Sequence, residues 1–326
     1  MRPRVFVTQP VAPSALERLR AVAEVKLNPD PLHIVTAEEL RAAVHDADIL
    51  FCLLHDQVDR TVIAANPSLR AIAAMAIVPA GIDLAEATAR RIPVTVIPPL
   101  VTEATADVAW ALLLTVARRV VESDRLLRAG TFPGSQSSFL EGAAVWDKTL
   151  GLVGAGRIGR AVARRGQGFG MRLLYAAPRR LPAADEAQYG LTHVPLPQLF
   201  AESDFISLHA PLTPETRHMI GARELSWMKP TAFLINTARG PILDEQALAA
   251  ALAARQLAGA ALDVFEDEPR VTPALLPLTN VVLTPHIGSA VRELREAMAH
   301  VVVDNILALL EGRRPPNCFN PEVLGG

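Results

Sequence analysis

Two cysteines in 326 residues, Cys52 and Cys318, are too few for a disulfide framework and read as structural thiols. No cluster of Cys or His has metal-ligand spacing, so no metal is expected. Neither sign of charge dominates: 32 Lys and Arg against 34 Asp and Glu leave a net charge of −2, which signals no basic face for nucleic acid. The apolar stretches 71–82 and 108–117 fall well short of the roughly 18 apolar residues that a membrane span needs. The opening Met1-Arg-Pro-Arg-Val-Phe-Val has no apolar signal core behind it, so a cytoplasmic protein is expected. Internal repeats and low-complexity tracts are also missing.

What remains is the composition of a globular protein, 50% hydrophobic and 20% charged, in a chain long enough for two domains. Short apolar runs at Val5 to Thr8, Ala47 to Leu54, Leu69 to Met75 and Val94 to Ile97 read as strands, with a helix over Ser14 to Ala21 that Ser14 is placed to cap. Pro98-Pro99 interrupts this series, and Thr102 to Arg128 reads as one long connecting helix. Beyond a Gly, Pro and Ser loop at Gly130 to Ser138, strands are expected at Thr149 to Val153, Arg172 to Tyr175, Asp204 to Leu208, Ala232 to Asn236, Ala258 to Asp263 and Val281 to Thr284. Strands alternating with helices imply doubly wound parallel sheets. The tail helix, Glu293 to Leu310, should pack back on the first domain.

Gly154-Ala155-Gly156-Arg157-Ile158-Gly159 follows one of these strands and opens a helix, the context that a dinucleotide fingerprint requires. The glycines permit a tight turn and close approach of a pyrophosphate to the helix N-terminus. An NAD site places a carboxylate about 20 residues further on, against the ribose hydroxyls. Here Tyr175 is followed by Ala176, Ala177, Pro178, Arg179 and Arg180, with the first carboxylate only at Asp185. Small neutral residues leave room for a phosphate and two guanidiniums can bind it, so NADP(H) is the expected cofactor and NAD(H) the alternative.

With that fingerprint come, in order, Asn236-Thr-Ala-Arg-Gly240, Leu262-Asp-Val-Phe-Glu-Asp-Glu-Pro269 and Thr284-Pro-His-Ile-Gly-Ser289, preceded by Leu53-Leu54, Thr102 to Asp107 and Ser207-Leu-His-Ala-Pro-Leu212. Over nearly its whole length the chain resembles the D-isomer-specific 2-hydroxyacid dehydrogenases, in particular their glyoxylate and hydroxypyruvate reductase branch. The resemblance implies a Rossmann-type cofactor domain (100–289) and a flavodoxin-like substrate domain (1–99 with 290–326), an interdomain cleft, and a homodimer built on the cofactor domain. It implies interconversion of a small 2-oxo acid and its D-2-hydroxy acid by hydride transfer.

By the same resemblance Arg239 binds the substrate carboxylate and keto oxygen, which suits a guanidinium fork that also stabilises charge growing on that oxygen. His286 matches the proton donor, and an imidazole can give and regain a proton near neutral pH. Glu268 matches the carboxylate that pairs with it, and Asp263 is expected to face the nicotinamide amide. His209, Ala210, Pro211, Thr216, Thr237, Ala238 and Gly288 complete the implied cofactor contacts, while Leu54, Ile77 and Val78 join Arg239 and His286 around the substrate.

Two departures fall on the substrate side. Family members carry a Gly-x-Asp-Asn-Ile-Asp-like loop whose amides hold the carboxylate, whereas this chain reads Val78-Pro-Ala-Gly-Ile-Asp83, and Pro79 has no N–H. Pro98-Pro99 stands where Pro-Gly is common. Two alternatives stay open. One is a formate- or phosphite-type anion dehydrogenase: Gly130 to Gly134 and Ile287 to Arg292 are similar to phosphite dehydrogenase, although residues 74–83 lack the lysine of that enzyme's loop. The other is a non-catalytic NAD(P)-sensing protein similar to the C-terminal-binding-protein corepressors.

Overall fold

A computed structural model describes residues 2–325. The chain divides into two compact units, Met1–Leu100 with Ala290–Gly326, and Val101–Ser289. In the first, strands β1 (Arg4–Val7), β2 (Glu24–Leu27), β3 (Ile49–Cys52), β4 (Ala71–Ala74) and β5 (Val94–Thr95) form one sheet in the order β2-β1-β3-β4-β5. Every pairing is parallel, and the order is flavodoxin-like. β3 and β4 are buried at every residue, which is why they read as continuous apolar runs and not as alternating ones. Helices α1 (Pro13–Val22), α2 (Ala37–His45), α3 (Arg60–Ala64) and α4 (Leu84–Ala89) connect the strands.

The second unit opens with α5 (Thr102–Ala117) and α6 (Val120–Arg128). Its strands are β6 (Thr149–Val153), β7 (Arg172–Ala176), β8 (Leu191–His193), β9 (Phe205–Leu208), β10 (Phe233–Asn236), β11 (Gly259–Leu262) and β12 (Val281–Leu283), and its later helices are α7 (Arg157–Gly168), α8 (Ala183–Tyr189), α9 (Leu196–Glu202), α10 (Ala222–Leu225) and α11 (Glu245–Ala253). The sheet order is β12-β11-β10-β9-β6-β7-β8, again wholly parallel. Strand order reverses between β6 and β9, the topological switch at which such sheets bind ligands. Because all seven strands run the same way, their C-terminal ends share one edge of the sheet. Gly154, His209, Thr237, Asp263 and Thr284 each follow directly on a strand at that edge.

The tail forms α12 (Arg292–Leu310), which packs on α1 and β4 in the first unit and buries Met298, Val302, Val303 and Ile306. Its fully buried Asn305 donates to Val96 O at 3.0 Å and accepts from Asn317 N at 3.2 Å, tying the last residues to β5. Among the described residues no helix is long and apolar enough to cross a membrane.

Three local expectations need correction. Thr102 to Arg128 is two helices: Arg119 sits in the left-handed region at φ 54°, and Ala117 O accepts from Ala143 N at 2.8 Å, so a crossing loop takes a carbonyl that a continuous helix would use itself. Arg119 is held there by a two-pronged bond to Glu122, at 2.8 and 2.7 Å. Ser14 does not cap α1, because Ala12 and Pro13 begin it; the Ser14 hydroxyl donates to Glu296 in α12 at 2.6 Å. Finally, β2 and β8 were not expected: they are short edge strands with too few apolar residues to stand out.

Candidate active site

The fingerprint turn joins β6 to α7. Gly154 has φ 94°, and a Cβ there would lie 2.8 Å from the His209 carbonyl and 2.9 Å from Ala210 N, so only glycine fits this crossing. Gly159 packs against the Gly154 carbonyl, and Ala155 is buried between these turns. Gly156 N-caps α7 without a side chain to bond the amides of Arg157 and Ile158, and the space beside its Cα is open. That leaves a helix N-terminus presented to an anion. Two buried polar atoms nearby in the strand-end loops, His209 Nδ1 and Thr237 Oγ1, have no partner within the protein. Burial pulls the His209 imidazole down to about 4, so it stays neutral; its Nε2 lies 2.9 Å from Ser207 Oγ. An open cradle with orphaned polar atoms around it fits a dinucleotide. The Thr216 hydroxyl closes the following turn by donating to Pro211 O at 2.7 Å.

Ala176, the last residue of β7, is buried, and the four residues that follow it bring no carboxylate to the place where an adenosine ribose would lie. The two arginines differ. Arg180 is clamped by Glu186 at 2.9 and 2.8 Å, and Glu186 also accepts from Tyr175 OH at 2.7 Å. Those two donors hold the Glu186 carboxyl down to about 2. Arg179 is exposed, and among the described residues no carboxylate pairs with it. The loop therefore offers one guanidinium where the sequence counted two.

The motif after β10 is a self-braced turn. Asn236, fully buried, accepts from Ala238 N at 3.0 Å and donates to Arg239 O at 3.1 Å, so its side chain fixes Thr237, Ala238 and Arg239. A Cβ on Gly240 would lie 1.9 Å from the Phe265 carbonyl, so the loop after β11 can press on this turn only because residue 240 has no side chain. The Arg239 guanidinium is partly buried and donates to Ala238 O at 2.6 Å. Burial lowers its pKa from the usual arginine range, against the opposing pull of the Glu268 charge.

His286 also has a left-handed backbone, at φ 53°, which its N–H stabilises by donating to Asp263 O at 2.9 Å and to Thr284 O at 3.0 Å. Its Nδ1 lies 2.8 Å from Glu268 Oε2, while Glu268 Oε1 accepts from Phe265 N at 2.9 Å. Glu268 thus has a partner at each oxygen and fixes the orientation of the imidazole through Nδ1. The buried Asp263 carboxylate accepts from Thr284 Oγ1 at 2.6 Å, Ile287 N at 2.8 Å and Gly288 N at 2.8 Å. Its carboxylate is thus already engaged in bracing the histidine loop, a role the sequence did not reveal. Thr105 Oγ1 adds a long bond to Gly288 O at 3.4 Å.

In the first unit, Leu54, Val78 and Pro79 line one small concavity together with Asp56. Residues 78–82 form a tight turn, with Ala80 N on Val78 O at 2.9 Å and Ile82 N on Pro79 O at 3.1 Å. Pro79 thus takes part in the turn as an acceptor. Burial raises the pKa of Asp56, whose Oδ2 accepts from the Thr8 hydroxyl and, at 2.7 Å, from Leu53 N.

A doubly wound sheet with a glycine cradle at its switch point, an arginine turn and a braced histidine–glutamate pair along one edge defines a nicotinamide-dependent oxidoreductase. A family model described as "D-isomer specific 2-hydroxyacid dehydrogenase, NAD binding domain" matches residues 110–288. The chain is 45% identical over 328 residues to a glyoxylate reductase of Thermococcus litoralis, covering 99% of this chain and 98% of that one. Among solved structures, a protein of Thermus thermophilus superposes with TM-score 0.91 at 43% identity, covering 97% of this chain and 99% of the other. An NADPH-dependent glyoxylate/hydroxypyruvate reductase of Sinorhizobium meliloti, solved with NADP and malonate, superposes with TM-score 0.80 at 33% identity over 98% and 97% of the two chains. The chain belongs to the D-isomer-specific 2-hydroxyacid dehydrogenases and is an NAD(P)-dependent dehydrogenase of that family.

Proposed function

We propose that the chain is an NADPH-dependent reductase of small 2-oxo acids, with glyoxylate and hydroxypyruvate as its leading substrates. The observation that carries this reading is the juxtaposition in the motif loops of a partly buried guanidinium, Arg239, with a histidine held 2.8 Å from a carboxylate. Relatives named as glyoxylate reductases support the substrate class. In this reading Gly154 to Gly159, Ala176, Arg179, His209 to Pro211, Thr216, Thr237, Ala238 and Gly288 hold the dinucleotide, which supplies a hydride when bound. Arg239 takes the substrate carboxylate and carbonyl oxygen and stabilises the negative charge that grows there. His286 delivers a proton from Nε2 to that oxygen, while Glu268 keeps the ring in register through Nδ1. The test is turnover with NADPH and NADH over glyoxylate, hydroxypyruvate, 2-ketogluconate and bulkier 2-oxo acids, with acetaldehyde as a control that lacks a carboxylate. Reduction of acetaldehyde as fast as glyoxylate would remove Arg239 from its proposed role.

The cofactor preference rests on Arg179, because Arg180 is already neutralised by Glu186. Arg179→Ala should raise KM for NADPH about ten-fold, the loss of roughly one charge-assisted pair, and leave KM for NADH nearly unchanged. Arg180→Ala should weaken both cofactors less and lower Tm. Equal effects of Arg179→Ala on NADPH and NADH would count against a 2′-phosphate contact.

The protein is further proposed to be a homodimer through the cofactor unit. No residue of α6 is buried, and Val120 and Leu127, seven residues apart on one helix face, are 51% and 59% exposed. Phe132 and Trp146 in the following loop are 72% and 60% exposed, an apolar display that a monomer seldom leaves in water. Light scattering should give twice the 35.0 kDa chain mass, and Leu127→Asp combined with Trp146→Asp should return it to the single-chain value. A wild-type monomer at micromolar concentration would refute this assignment.

A further inference from the structure

Glu245 opens α11 and is only 1% exposed, yet among the described residues no cation lies within ion-pair distance of it. Its carboxylate is satisfied by two donors from another loop: Oε1 accepts from Glu266 N at 2.6 Å, and Oε2 accepts from the Thr272 hydroxyl. These anchor points lie on either side of Glu268 in sequence. A buried carboxylate without a cation is expensive to desolvate. The helix itself does not need it, since Asp244 already caps α11 by accepting from Ala247 N at 2.9 Å. The acid is therefore best explained by the loop it grips.

That loop is pressed on Gly240 through the Phe265 carbonyl, and on its outer side the Glu266 carboxylate pairs with His218 and lies 3.8 Å from Arg217. Charged groups facing the catalytic pair include Glu268 on Nδ1 of His286, Asp263, which follows β11 and braces the histidine loop, and Arg239, on which the Glu268 charge acts. With Phe265 N on one Glu268 oxygen and His286 Nδ1 on the other, a shift of the loop would move the carboxylate relative to the imidazole. We propose that Glu245 is a positioning residue for proton transfer, holding Glu268 at bonding distance from His286 by clamping the loop at Glu266 and Thr272. The proposal rests on the reading of His286 as the proton donor.

Glu245→Ala should lower kcat about ten-fold while KM for glyoxylate and the affinity for NADPH change by less than about two-fold. Glu245→Gln, whose amide oxygen still accepts from Glu266 N, should recover at least half of the wild-type kcat. In a Glu268→Gln background, Glu245→Ala should cost less than about two-fold more, because both act through one carboxylate. A second readout needs no substrate. The low-field imidazole N–H resonance of His286, assigned by its loss in His286→Gln, should shift or vanish in Glu245→Ala and persist in Glu245→Gln. Should Glu245→Ala fail to fold, Thr272→Val removes one anchor and should shift the same resonance.

If the wild type reduces no 2-oxo acid but the resonance responds as described, the functional reading falls and the positioning role stands. If the wild type is active and Glu245→Ala keeps its kcat and its resonance while losing only Tm, Glu245 is a structural residue and the proposal is overturned. Additive losses in the Glu268→Gln background would overturn it as well.

Discussion

Replacing Arg239 with alanine is expected to lower kcat/KM for glyoxylate by about 10³- to 10⁴-fold, a loss of roughly 4–5.5 kcal/mol of transition-state stabilisation. Two losses combine: the fork that binds the carboxylate, and the positive charge beside the carbonyl oxygen as it becomes an alkoxide. Arg239→Lys keeps the charge without the planar fork and should fall between, near about 10²-fold. The turn should survive both changes, because Asn236 braces it through Ala238 N and Arg239 O and not through the guanidinium. NADPH affinity measured by fluorescence titration should therefore stay within about two-fold. A Tm drop accompanied by lost cofactor binding would mean that Arg239 supports the fold more than the reaction.

His286→Asn is expected to lower kcat by about 10²- to 10⁴-fold, the usual range for losing a general acid. Asparagine is the informative replacement because it tolerates the left-handed backbone found at φ 53° better than most side chains. The loop is also held independently of the ring, by Asp263 on Thr284 Oγ1, Ile287 N and Gly288 N. The loss should fall mainly on kcat, with KM for the 2-oxo acid changing little. A variant that retains more than about a tenth of wild-type kcat would take the proton-donor role away from His286.

Much of this site was legible in the sequence because it lies in local motifs at strand ends. Gly154 to Gly159, Arg239 and His286 all follow short apolar runs that read as buried parallel strands, and such strands bring their C-terminal ends together. What stayed hidden depends on contacts between distant segments. Nothing near Glu245 in the chain signals that it grips Glu266 and Thr272. Over a shorter span, the sequence does not say which of Arg179 and Arg180 the Glu186 carboxylate takes. The break at Arg119 was invisible for a similar reason: it is imposed by Ala143 reaching back to Ala117, and helical periodicity continues across it. Ser14 misled in the opposite direction, since a residue suited to capping was drawn instead to Glu296 in α12, far along the chain.

The central claim is hydride transfer to a 2-oxo acid with Arg239 as the carboxylate and carbonyl anchor. It is tested most directly by following loss of nicotinamide absorbance when glyoxylate is added to the wild-type protein and NADPH, with glycolate quantified in the same sample and Arg239→Ala run alongside. The expected result is turnover on the order of 1–10³ s⁻¹, one glycolate per NADPH oxidised, and almost none in the variant. Absence of turnover in the wild type with glyoxylate, hydroxypyruvate or any larger 2-oxo acid, or equal turnover in the variant, would contradict it.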